Sequence, residues 1–174
     1  VAWLHIPDGK GPFPAVIRVH GYKSSKDGRT SSILAEEFKD KIFFRFDFHA
    51  HGESEGHAID ALQCIYDVIN AVKYILGLDN VDKKKVAVIG SSLGGMAVLI
   101  ATAWCKDISS AVLICPASDI LKLKNIGINT QKFTEKIKDA YSEAKNIDVP
   151  VLIIHGDKDD VVPLSHSSKL VKYL

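Results

Sequence analysis

Several things are scarce in this sequence, and each scarcity excludes something. Cysteine occurs three times, at Cys64, Cys105 and Cys115. An odd number at such wide spacing fits neither a disulfide framework nor the paired spacing of a zinc site. Each is expected to pack as a small, reduced, buried residue, as in a cytoplasmic protein. Neither sign of charge dominates: 22 Lys and Arg oppose 21 Asp and Glu, for a net +1. The lysines are scattered, so there is no electrostatic footprint for nucleic acid or an anionic membrane surface. No apolar run is long enough to span a bilayer. The opening "VAWLHIPDGKGPFP" has no basic segment followed by an apolar one, so no secretory leader is expected.

What is present is a core-forming chain. Its 174 residues, 47% of them hydrophobic, suit one domain over 1–174 with a sizeable core. Strand and helix patterns alternate. "VAWLHI" reads as a short strand ended by the turn-forming "PDGKG", and "PAVIRVHG" as a β-branched strand running into Gly21. Residues 28–40 place Ile33, Leu34 and Phe38 on one helical face. "KIFFRFDF" is a strand, and "HAHGESEGH" a polar loop. Leu62, Ile65, Ile69, Val72 and Leu76 mark a long amphipathic helix. "KVAVIG", "SAVLICPAS" and "VPVLIIHG" are further strands, and the last residues read as an amphipathic helix with no stop signal. Strands apolar throughout are buried on both faces. The expectation is therefore a three-layer α/β core, mostly parallel, with helices on both faces. Residues 119–148 are the least regular and read as a minimal cap.

One turn carries chemistry. Gly90-Ser91-Ser92-Leu93-Gly94 matches G-x-S-x-G with Ser92 in the middle, after an apolar strand and before a helix rich in small residues. In such a turn the central side chain is lifted clear of the sheet, and the residues two positions away must be small. The following amides sit at a helix N-terminus and favour negative charge. Ser92 is the candidate nucleophile and Ser91 the filler; the plainer alternative is an N-cap serine.

With these residues in view the chain resembles the α/β-hydrolases. Four motifs in order carry the resemblance: "RVHGYKSS", "FDFHAHGESEGH", "GSSLGG" and "LIIHGDKDDVVP". The look is that of small esterases of the cinnamoyl-ester and monoglyceride-lipase type, and of serine aminopeptidase-like hydrolases. The resemblance implies that Ser92 attacks an acyl carbonyl. It implies that the backbone N–H groups of Tyr22 and Leu93 receive the oxyanion. Gly21 lets the loop approach, and His20, Gly90 and Gly94 support the site. The Tyr22 ring either faces an acyl or aromatic group or simply packs. Aligning "DDVVP" with the family pattern implies that Asp159, rather than Asp157 or Asp160, is the acid; a turn with a capping Asp is the alternative. His49, His51, His57 and Asp47 can be read as metal ligands, but the family loop accounts for the same residues, so no metal and no cofactor are expected.

The base is the difficulty. Triad order in this fold is Ser, Asp, His along the chain. Beyond Asp159 the only histidine is His166, in the first turn of the last helix, where the family has no catalytic residue. His166 is the alternative; otherwise the catalytic histidine lies outside this chain. Val1 falls within a strand and Leu174 within a helix, so the sequence reads as cut at both ends. The expected activity of the complete protein is hydrolysis of a small-molecule carboxylic ester through an acyl-enzyme. A serine peptidase of the same fold, or an inactive module lacking the base, are the alternatives.

Overall fold

The computed structural model describes residues 1–123 and 127–174; residues 124–126 of the expected cap segment lie outside the described residues. Among the described residues the elements in chain order are β1 (Ala2–His5), β2 (Phe13–Val19), α1 (Arg29–Glu37), β3 (Ile42–Phe46), β4 (Ile59–Asp60), α2 (Ala61–Leu76), β5 (Val81–Ser91), α3 (Leu93–Trp104), β6 (Ser110–Ile114), a 3₁₀ turn (Ile120–Lys122), β7 (Ile128–Asn129), α4 (Gln131–Lys136), α5 (Ala140–Ala144), β8 (Val151–Ile154) and α6 (Ser165–Leu170).

Six strands form one sheet in the order β1-β3-β2-β5-β6-β8. Only β1 is antiparallel, pairing Ala2 with Phe46 and His5 with Phe43; the other pairings are parallel. The mostly parallel α/β architecture expected from the apolar strands is the one found. The inner strands bury alternate residues on two faces. Ala15, Ile17 and Val19 of β2, with Val86 and Val88 of β5, point into the main core beneath α2 and α3. Val16, Phe43 and Ile89 point the other way, against Leu34, Ala35 and Phe38 beside α1.

Helix positions follow from their sequences. Asp60 caps α2, its Oδ1 accepting from the Leu62 and Gln63 N–H groups at 2.9 and 3.1 Å. Residues 93–103 of α3 are all buried, as an all-round apolar helix must be. β5 is longer than the strand read from "KVAVIG". It begins at Val81, and its exposed Lys83–Lys85 stretch hid its first half from an apolar-run reading. The last helix is shorter than expected. It stops at Leu170, and the chain tightens into i→i+3 bonds from Lys172 N–H to Lys169 O and from Tyr173 N–H to Leu170 O. That tighter turn lays Tyr173 beside the Tyr141 ring, with centroids 5.6 Å apart.

The cap segment is built into the core. Phe133 of α4 and Ala140, Tyr141 and Ala144 of α5 are buried in the main cluster. β7 pairs with β4 through Ile59–Ile128 and Asp60–Asn129, which anchors the segment to the start of α2.

A buried charge knot ties the loops that follow β2 and β3. Lys26 is fully buried, a rare state for an ammonium group, which must be paired to be tolerated there. Its Nζ donates to Asp47 Oδ2 at 3.1 Å, lies 3.1 Å from Asp27 Oδ2, and also contacts the exposed Glu53 carboxylate. Asp47 accepts in addition from the backbone N–H groups of Lys26 and Glu53, at 2.6 and 3.0 Å. Although burial works against the charged carboxylate, these donors hold its pKa below the ordinary value.

Asp47→Ala is expected to cost about 3 kcal/mol in urea unfolding, because the buried Lys26 N–H and ammonium and the part-buried Glu53 N–H lose their acceptor. Glu53→Gln, at an exposed partner, should cost less than about 1 kcal/mol. Equal costs would remove Asp47 from the centre of the knot. Because the folded pKa of Asp47 is depressed, its contribution is full above about pH 4 and is lost as pH falls through the folded value. The Asp47→Ala cost should therefore shrink in acid.

Candidate active site

The turn between β5 and α3 is tightly constrained. Ser92 stands at φ 53°, ψ −117°, a left-handed conformation unusual for a residue with a side chain. Three backbone bonds hold it there. Its N–H donates to Ile114 O at 2.9 Å, and its carbonyl accepts from Met96 and Ala117 N–H, each at 3.1 Å. A Cβ on Gly90 would stand 2.3 Å from Gly94 O, and one on Gly94 would stand 2.3 Å from His20 O. No side chain fits at either position, so the two glycines are there for close approach.

The two serines diverge. Ser91 Oγ accepts from Arg18 NH2 at 2.8 Å and belongs to the sheet. Ser92, by contrast, lines a pocket of ≈ 50 Å³ together with Tyr22, Leu93, Ile120, Ile128 and Val162. Gly21 brings the loop after β2 against it: a Cβ at Gly21 would lie 3.2 Å from Ser92 Cβ. Among the described residues, neither the Tyr22 nor the Leu93 N–H has a hydrogen-bond acceptor. Leu93 opens α3, so its N–H has no intrahelical partner and adds to the positive end of the helix.

His20 works beneath this loop. Its Nδ1–H donates to Gly21 O at 2.7 Å, and its Nε2 accepts from Phe48 N–H at 3.1 Å. Burial drives its pKa down to about 4, so the ring is a neutral brace at ordinary pH.

Asp159 stands in the loop after β8, whose Val161 and Val162 line the pocket. Its Oδ1 accepts from Val161 and Val162 N–H, at 3.0 and 2.8 Å, and the Val162 N–H leads in holding its pKa below the usual carboxylate value. His155 braces the loop. It donates from Nε2 to Val162 O at 2.7 Å, accepts from Ser167 Oγ at 2.6 Å, and stands 3.7 Å from Asp159 Oδ2. Ser92, Leu93, Tyr22 and the Asp159 loop thus meet at the carboxyl ends of β2, β5 and β8.

The histidines are placed elsewhere. His166 is buried, and its Nδ1 accepts from Asp119 N–H at 3.2 Å. Among the described residues it bonds to neither Ser92 nor Asp159. Of the four residues weighed as metal ligands, three are engaged otherwise: Asp47 serves Lys26, His49 bonds Asp67 and Asp60 N–H, and His51 turns its Nδ1 to His49 O.

Two participants were not foreseen. Cys115 is free and only half-buried, unlike buried Cys64 and Cys105. Its thiol faces Asp159, and burial, reinforced by that carboxylate, pushes its pKa up. No motif marks it, since it lies one residue past the end of β6. Arg18 is buried and, among the described residues, has no carboxylate partner. It bonds the carbonyls of Val19 and Ile89 as well as Ser91, its Nε is unsatisfied, and burial lowers its pKa to about 10. A lone arginine between Ile17 and Val19 was the available signal.

The comparisons with known proteins follow the same lines. An uncharacterised protein of Salmonella typhi, YfhR, is 29% identical over 170 residues, covering 89% of this chain and 57% of its own length. The mitochondrial palmitoyl-protein thioesterase ABHD10 of Mus musculus is 27% identical over 193 residues, covering 91% of this chain and 63% of its own. The chain thus spans little more than half the length of such relatives. The structure of Est1E from Butyrivibrio proteoclasticus with ferulic acid bound superposes with a TM-score of 0.84 at 23% identity, over 99% of this chain and 81% of that one. Residues 54–174, from the loop after β3 through α6, match the prolyl oligopeptidase family. By that match and by its architecture, the chain belongs to the prolyl oligopeptidase family of the α/β-hydrolases.

Proposed function

We propose that this chain carries the nucleophile, the acid and the oxyanion-binding amides of a serine hydrolase that cleaves carboxylic esters. Ser92 Oγ attacks the acyl carbon, and the carbonyl oxygen gains negative charge between the Tyr22 and Leu93 N–H groups. Collapse of the tetrahedral intermediate expels the alcohol and leaves an acyl-enzyme, which water then hydrolyses. Asp159 orients the base and stabilises its protonated form. Among the described residues none of the histidines hydrogen-bonds to Ser92, and this reading leaves the base unassigned.

The observation that carries the reading is the backbone of Ser92. A left-handed serine, lifted from the sheet beside two unengaged amides, is a costly arrangement for a mere helix cap. A cap needs no such strain, and Ser92 makes no side-chain cap bond. A serine peptidase is the second reading, favoured by the family match. Comparing kcat/KM for an ester and an amide of the same acyl group separates the two.

In the full-length protein, Ser92→Ala is expected to abolish hydrolysis and labelling by a fluorophosphonate. Ser91→Ala should keep most turnover while costing about 1–3 kcal/mol in stability, since it strips Arg18 of an acceptor. Retained activity with Ala at 92 would overturn the assignment.

Asp159→Asn should lower kcat by roughly 10⁴, as loss of the acid does in related triads. Asp157→Asn and Asp160→Asn should cost far less. The reverse ranking in steady-state kinetics would move the acid to another residue.

A further inference from the structure

We infer that the acyl subsite of this hydrolase takes a short aliphatic acyl group, acetyl to butyryl, and rejects aromatic acids. This rests on the serine-hydrolase reading above and adds the substrate class. The pocket at Ser92 is walled among the described residues by Tyr22, Leu93, Ala117, Ile120, Ile128 and Val162, with Leu123 and the exposed Val161 completing its lining. Apart from Tyr22 and Ser92 its lining side chains are all aliphatic, so it offers no polar group to a ferulate hydroxyl or a charged side chain. Its volume is ≈ 50 Å³. A dry cavity that takes a benzene ring has about 150 Å³. The subsite therefore has about a third of the space that encloses a ring.

The walls are built to stay. Leu93, Ala117, Ile120 and Val162 are buried in the main core, and Ile128 packs against it from β7, which pairs with β4. Tyr22 is a wall rather than an open stacking platform. Its ring is edge-on to His51, with centroids 6.3 Å apart, and a Cβ at Gly127 would stand 2.9 Å from its hydroxyl. On these sides, opening the pocket to a ring would require moving core residues, which close-packed interiors resist, whereas Val161 forms an exposed rim. The structural likeness to Est1E, seen with ferulic acid, is one of fold, and this pocket differs in kind from what such an acid needs.

The test measures kcat/KM of the full-length protein on p-nitrophenyl acetate, butyrate, octanoate and cinnamate. Acetate and butyrate should exceed octanoate and cinnamate by roughly tenfold or more. Ile128→Ala, which enlarges the pocket, should raise the octanoate-to-butyrate ratio several-fold. Ile128→Phe, which fills it, should lower the butyrate-to-acetate ratio. Using two variants of opposite size guards against one that fails to fold. Cinnamate or octanoate at parity with butyrate, or ratios unmoved in both variants, would overturn the short-acyl subsite. So would Ser92 labelling by a fluorophosphonate with none of the four esters cleaved, which leaves the serine-hydrolase reading standing. Absence of both labelling and hydrolysis would instead sink that reading and the subsite with it.

Discussion

Backbone meets backbone around Ser92 with no side chain between, and the rest of the site depends on that contact. Gly90 lies against Gly94, and Gly94 against the carbonyl of His20, so β5, α3 and the loop after β2 converge within van der Waals distance. Such an approach cannot be made with Cβ atoms in the way, whatever the surrounding core contributes. It holds the Ser92 dihedral angles beside the small apolar pocket. The parallel sheet supplies the rigidity. β2 and β5 are central strands, each paired on both sides, so the turn between β5 and α3 has little freedom to relax.

The second constraint is electrostatic and lies behind the first. The loop that presents Tyr22 is four residues from Lys26, and Lys26 is buried against Asp47 in the neighbouring loop. His20 and His51 pack between them, with ring centroids 5.0 Å apart. The amide at Tyr22 is therefore held from below by a neutral imidazole and from behind by an ion pair. A buried ion pair adds little net stability over an apolar substitute, but breaking it is costly, so its effect is to hold one loop arrangement.

Features that depend on local pattern were legible in the sequence. The apolar runs gave the parallel sheet, and G-x-S-x-G between strand and helix singled out Ser92 over Ser91. "DDVVP" raised Asp159 either as the acid or as a capping residue, and its carboxylate does cap the two valine amides, as the capping reading expects. Features that depend on where distant segments meet were not legible. Nothing in the spacing of Lys26, Asp47 and Glu53 announces a knot, since a lysine in a polar loop reads as solvated. Cys115 reaches Asp159 only because β6 and β8 are neighbours in the sheet. The first half of β5 was missed because three exposed lysines look like loop, and the end of α6 because its last turn tightens to reach Tyr141.

Lys26 also gives the molecule an internal chemical clock. Acylating reagents attack the neutral amine, and surface lysines of this chain present theirs to solvent. Lys26 is both enclosed and held in its charged form by three carboxylates, which raise its pKa. It can be modified only in the moments when the loops after β2 and β3 part. Its labelling rate, relative to an exposed lysine, is then a direct reading of how often that half of the site opens, in the same sense that slow amide exchange reports local unfolding.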